Sequence, residues 1–197
     1  MTVTSDPETS LEPPASVAAK LEIPEGTFVL TYDKLDSGAI IRSVQDDAAG
    51  AIAVFIGTTR NSFQGQVVTR LEYQAYSKMA VKIMKDIFLS AHANAARSEH
   101  AVTSGPPVSP LLHCVVYHRF GVVPVGEASI VIAVSSPHRT EAFAACEYLL
   151  EQIKLKVPIW KMEVYESGKP RWKANHPPHT SGDAFDERCL PIQEDDT

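Results

Sequence analysis

Lys154-Leu155-Lys156-Val157-Pro158-Ile159-Trp160-Lys161-Met162-Glu163 holds the change of period that decides how this chain folds. A residue before proline is driven out of the α region, so a helix bearing Lys154 must stop near Val157. Beyond Pro158 the period becomes two. Trp160, Met162 and Val164 then share one face, and Ile159, Lys161, Glu163 and Tyr165 the other. Lys161 and Glu163 thus lie on the same side of a strand, near the helix end that presents Lys154. Such a corner suits an anionic substrate that needs charge stabilisation and proton transfer.

Upstream of the junction, Ser136 is expected to cap the helix, with Pro137 in its favoured first position. Phe143, Cys146, Leu150, Ile153 and Val157 would form the buried stripe. Strands are expected over 111–119 and 128–135, joined across 121–127. Earlier still, Phe28-Val29-Leu30-Thr31 reads as a short strand, and Asp36 or Ser37 as the cap of a helix reaching Val44. The apolar run Ala51-Ile52-Ala53-Val54-Phe55-Ile56 has strand length and is closed by Gly57. A polar loop over 58–65 leads to a strand over 67–75. Ser77 then caps a helix with Met79, Ile83, Ile87 and Ala91 on its apolar face. Strands and helices without regular βαβ alternation indicate an α+β fold with packed helices.

Residues 1–25 are rich in Pro, Ser, Thr, Glu and Ala and read as a disordered lead-in. The domain proper is expected over 26–175, with a loop insertion at 98–110 around Ser104-Gly105-Pro106-Pro107 and a tail over 176–197. A chain of 197 residues with 44% apolar and 21% charged residues has the composition of one soluble globular domain with tails. A net charge of -6 argues against nucleic acid as a partner, because phosphate backbones demand a basic surface. No apolar run nears the roughly 18 residues that cross a bilayer, so no membrane partner is expected. The start, Met1-Thr2-Val3-Thr4-Ser5-Asp6-Pro7-Glu8, has neither a basic region nor an apolar one, and a cytoplasmic location is expected. Cys114, Cys146 and Cys189 are odd in number and lack metal-ligand spacing, so they read as reduced thiols rather than a disulfide framework or zinc site. Neither a metal motif nor a dinucleotide fingerprint occurs, and no cofactor is expected.

Three groups of residues carry candidate chemistry. At the junction, Lys154 and Lys156 either serve a ligand or only complement the helix dipole, and Lys161 with Glu163 either serves a site or forms an exposed pair. His138 and Arg139 follow Ser136-Pro137 in a first helical turn, where backbone N–H groups favour an anion and acidic side chains are the usual occupants. They mark an anion site or pair with a neighbour such as Glu141. Arg60 stands in a glycine-bracketed loop after a buried strand, and its planar fork suits phosphate.

The motifs also occur together in order. Phe55-Ile56-Gly57-Thr58-Thr59-Arg60-Asn61, Leu71-Glu72-Tyr73-Gln74-Ala75-Tyr76 and Met79-Ala80 come first. His118-Arg119-Phe120-Gly121, Val125-Gly126-Glu127, Val134-Ser135-Ser136-Pro137-His138-Arg139 and Pro158-Ile159-Trp160-Lys161-Met162-Glu163 follow. From about 38 to 172 this series resembles the large, catalytic subunit of molybdopterin synthase. The resemblance implies an α/β-hammerhead fold with a mixed or antiparallel sheet. It implies a sulfurtransferase of molybdenum cofactor biosynthesis, in which cyclic pyranopterin monophosphate (precursor Z) receives two sulfurs to become the dithiolene molybdopterin. The sulfur would come from a small ubiquitin-like subunit bearing a C-terminal thiocarboxylate. A homodimer of large subunits would form the centre of a heterotetramer. By motif, Lys154 and Lys161 match the family's functional lysines and are the expected catalytic residues. His138, Arg139, Met162 and Glu163 match substrate positions, and Arg60 the loop arginine. The lead-in, the 98–110 segment and the tail set this chain apart from compact bacterial members of the family.

With a thiocarboxylate as sulfur donor no cysteine nucleophile is required. Arg60, His138 and Arg139 offer cationic recognition to a cyclic phosphate. Competing readings are a non-catalytic scaffold that binds a ubiquitin-like tail, and a persulfide sulfurtransferase using Cys146 or Cys189. Helix geometry adds a constraint of its own. Arg139 and Lys154 are fifteen residues apart on one helix, about 22 Å along its axis, so one small substrate cannot touch both within a chain. Either only one of them belongs to the pocket, or the pocket is shared across a dimer with His138 and Arg139 donated by the neighbour, and the shared pocket is the favoured expectation.

Overall fold

The computed structural model describes residues 15–96, 109–166 and 171–174, the last four by backbone only. Runs of β-branched residues sort into two sheets. The first contains β1 (Ala19–Ile23), β2 (Gly26–Thr31), β3 (Ala51–Thr58), β6 (His113–Arg119) and β8 (Ala128–Ser136), in the order β1-β2-β6-β8-β3. Only β2 and β6 run parallel, so the sheet is mixed. From Ser129 to Ser136, β8 is buried at every position, because elements cover both faces of its centre. On one face lie α2 (Ser77–Ala95) and α3 (Arg139–Lys156), enclosing Phe28, Phe88, Leu149 and Ile153. On the other, α1 (Ser37–Arg42) closes a smaller core of Leu35, Ile40, Val44, Val115 and Val131.

The second sheet is an arm carried by β9 (Ile159–Tyr165), with β10 (Arg171–Ala174), β5 (Gln66–Ala75) and β4 (Ser62–Phe63) in the order β10-β9-β5-β4. The short β7 (Gly121–Pro124) pairs with β5. The junction folds as its sequence dictates. α3 runs to Lys156, Val157 is extended at φ -80 and ψ 129, and β9 starts one residue past Pro158. Asp36 caps α1, its carboxylate accepting from the Ala39 amide at 3.0 Å.

Several expectations are corrected. The lead-in expected over 1–25 ends earlier, since Ala19–Ile23 is strand β1, paired antiparallel with β2. Its alternation, with Ala19, Leu21 and Ile23 turned inward, is the period-two signal. Ser16 adds an anchor: the Ala75 amide donates to its hydroxyl at 2.9 Å, and its own carbonyl accepts from Tyr32 at 2.9 Å. Residues 1–14, most of the 98–110 segment, the turn at 167–170 and the tail lie outside the described residues. The cap of α3 is His138 rather than Ser136. The Ser136 hydroxyl instead donates to Pro110 O at 2.7 Å and accepts from the His138 amide at 3.2 Å. The buried stripe of α3 is rotated too. Ala142, Ala145, Cys146, Leu149 and Ile153 face inward, while Phe143 is 66% exposed. Small alanines let the helix approach the sheet, which a phenylalanine would prevent. The same holds for α2, where Ala80, Val81, Met84 and Phe88 are buried and Met79 is exposed.

Candidate active site

Where the arm meets the first sheet, beneath the end of α3, lies a half-open cavity of about 420 Å³. Its cationic side chains come from three places: Lys154 from α3, Lys161 from β9 and Arg60 from the loop after β3. Glu163 is the carboxylate among them. Alternation on β9 turns Lys161 and Glu163 to the same side, opposite Tyr73 and Leu71 of β5 in the strand register. Gly57 helps keep the floor open. A Cβ there would meet Ile130 Cγ2 at 2.7 Å.

The cations differ in setting. Lys154 is half exposed, and its ammonium stands 3.5 Å from Glu151 one turn back. Lys161 is half-buried. The Arg60 guanidinium lies over the Phe63 ring, 5.0 Å from its centroid, a cation–π contact that holds a loop arginine toward the cavity. Glu163 is buried, and the Tyr165 phenol donates to its Oε2. A carboxylate at that depth is tolerable only with donors and cations around it. The pair of lysine and glutamate is therefore not an exposed cross-strand decoration.

Met162 has the other parity. It stands opposite Glu72 and Trp172 in the register and is not among the residues that line this cavity. His138 and Arg139, both exposed, line a separate recess of about 290 Å³ with Gly50, Pro137 and Thr140. One chain therefore brings Arg60, Lys154, Lys161 and Glu163 together, and sets His138 and Arg139 apart at the far end of α3. Gly50 makes that recess possible. Its amide donates to Ser136 O at 3.1 Å, and a Cβ on it would lie 2.3 Å from the Pro137 carbonyl oxygen. Gly50→Ala is expected to cost about 1–3 kcal/mol in denaturant unfolding, since backbone rather than a flexible side chain must yield.

Sequence reading missed the floor of the cavity, which includes Tyr73, Ser129 and His118. His118 and Tyr73 stack edge to face with centroids 5.0 Å apart. His118 Nδ1 donates to the Arg119 carbonyl at 2.7 Å, which assigns the proton to that nitrogen. Burial, opposed by that hydrogen bond, drops the His118 pKa from 6.5 to about 4. Between these values the unfolded chain binds a proton that the folded chain refuses, so stability falls as pH drops from 6.5 toward 4. The contribution is complete above the window, and its loss across the window amounts to about 3 kcal/mol. Urea unfolding above and below the window measures it, and His118→Asn should show the smaller decline.

Cys114 and Cys146 are buried free thiols. Burial, and then the neighbouring Cys146, pushes the Cys114 pKa far up, and burial raises that of Cys146 to about 11. Neither has the lowered pKa of a reactive sulfur, and Cys189 lies outside the described residues. Among the described residues no group of three or more His, Cys, Asp or Glu is arranged to hold a metal. Among them also, no helix is long and apolar enough to cross a membrane.

A cationic cavity around one buried carboxylate thus lies where a sheet and an arm meet in an α+β domain. Comparison with known proteins makes this specific. The family model described as MoaE protein matches residues 30–156. The molybdopterin synthase catalytic subunit of Pyricularia oryzae is 45% identical over 152 residues, covering 77% of this chain and 76% of that protein. Among solved structures, molybdopterin synthase from Staphylococcus aureus superposes with a TM-score of 0.63 at 30% identity, covering 73% of this chain and 94% of that one. A Helicobacter pylori structure, a complex of subunits 1 and 2 of molybdopterin-converting factor, shares the fold with a TM-score of 0.52 at 21% identity, over 71% of this chain and 85% of that one. The chain belongs to the MoaE family, the catalytic subunits of molybdopterin synthase in molybdenum cofactor biosynthesis, and has their α/β-hammerhead fold.

Proposed function

We propose that this chain transfers sulfur from the thiocarboxylated C-terminus of a small ubiquitin-like subunit to cyclic pyranopterin monophosphate, two sulfurs yielding the dithiolene of molybdopterin. The observation that carries the reading is the convergence of Arg60, Lys154, Lys161 and Glu163 on one half-open cavity. Arg60 presents a planar fork to the cyclic phosphate. Lys154, half exposed at the rim, meets the carbonyl end of the incoming tail. Lys161, deeper and beside the buried Glu163, binds substrate and assists proton transfer to departing oxygen. The sulfur arrives on the partner, so the two buried cysteines stay outside the chemistry.

His138 and Arg139 complete the site from a second copy of the chain. A homodimer of large subunits, with one small subunit on each, brings the far end of one α3 to the cavity of the other. The separate recess around these two residues supports that reading. The cytosol is the proposed location. The test is to mix the chain with precursor Z and thiocarboxylated small subunit and follow dithiolene product by mass spectrometry. Conversion is expected. Tight binding of the small subunit without conversion would favour the non-catalytic scaffold.

A further inference from the structure

Tyr165 has the parity of Lys161 and Glu163 on β9 and is 7% exposed. Its phenol donates to Glu163 Oε2, and Glu163 is itself 6% exposed. A carboxylate this deep keeps its charge only where donors and cations offset the lost hydration. Lys161, Lys154 and Arg60 supply the cations around the cavity, and Tyr73 and His118 line its floor from β5 and β6. Burial, offset by a hydrogen bond to Ser129 and reinforced by the charge of Glu163, raises the Tyr73 pKa. Tyr73 and Glu163 thus line the same cavity.

The strand is also locked at this end. The register of β5 on β9 slips between Val68 and Arg70, with Val68 opposite Tyr165, and the Thr69 hydroxyl donates to Val164 O at 3.1 Å. Such irregularities re-aim side chains beside functional sites. Here the slip lies next to Tyr165, whose phenol reaches back to Glu163.

We propose that Tyr165 is a positioning residue of this site, fixing the orientation and ionised state of Glu163 so that it stands as counter-charge to Lys161. The proposal rests on the sulfur-transfer reading of the cavity. Tyr165 makes no bond to substrate and gives up no proton; its part is to hold one carboxylate oxygen.

Tyr165→Phe removes only the hydroxyl. In the complete synthase it should lower kcat about tenfold with little change in KM, the scale of a lost hydrogen bond to a charged group. The acid limb of the pH–rate profile should move to higher pH, because a carboxylate that loses a donor to its charged form is easier to protonate. Glu163→Gln should abolish that limb, and adding Tyr165→Phe to it should cost no further activity. A merely structural tyrosine would lower the melting temperature and leave the acid limb in place. Titration of the Glu163 carboxyl by NMR in wild type and Tyr165→Phe reads the same effect without turnover, and an upward shift is expected in the variant. An unchanged titration, or wild-type kcat and pH profile in Tyr165→Phe, overturns the role of Tyr165. An inactive wild type with the expected titration shift counts against sulfur transfer instead.

Discussion

Lys161→Ala is expected to lower synthase turnover by about 10²–10⁴-fold, the range in which a positioned proton-transfer group contributes. The lysine is half-buried on a strand whose partners on both sides are backbone-paired, so its side chain is not what holds β9 in place. Replacing it should leave the unfolding free energy within about 1 kcal/mol of wild type. What goes is the cation beside Glu163. The buried carboxylate then lacks its nearest counter-charge on the strand and becomes easier to protonate. Binding of the small subunit should persist, since the rim lysine Lys154 belongs to α3. Steady-state kinetics, calorimetric binding and thermal melts on one preparation separate the three effects. Near-normal turnover in Lys161→Ala would remove it from the chemistry.

Mixed dimers carry the second large effect. Arg139→Ala and Lys154→Ala should each be nearly inactive as homodimers. When the two chains are combined, one site receives both substitutions and the other neither. Activity should therefore return to about half that of wild type per mixed dimer, because in the proposed shared pocket the two residues, about 22 Å apart along one helix, act in different sites. The recess holding His138 and Arg139 is distinct from the cavity that holds Lys154. If each chain built its whole site alone, both sites of a mixed dimer would be defective, and no activity would return.

The junction was legible because its signals are local. Pro158 dictates the conformation of Val157, and alternation after it sorts Lys161, Glu163 and Tyr165 from Trp160, Met162 and Val164. The Asp36 cap was readable for the same reason. Long-range pairing hid the rest. β7 is four residues long, begins at Gly121 with φ 73 and ends on a proline, and only its pairing with β5 makes it a strand. β1 alternates, yet its residues sit beside a Pro- and Ser-rich segment that masks the pattern. Helix faces were misjudged where alanine rather than a large apolar residue faces the sheet, exposing Met79 and Phe143. The cavity cations were found from motif and parity, whereas its floor of Tyr73, His118 and Ser129 depends on three strands meeting. No local spacing announces that.

Sulfur transfer is tested most directly at the partner's C-terminus. The small subunit, loaded as thiocarboxylate, is mixed anaerobically with this chain and precursor Z, and its intact mass is followed. Two small subunits should return as plain carboxylates for each dithiolene formed, with Lys161→Ala leaving the thiocarboxylate in place. A thiocarboxylate that persists in the presence of wild-type chain and precursor Z would contradict the assignment of the cavity.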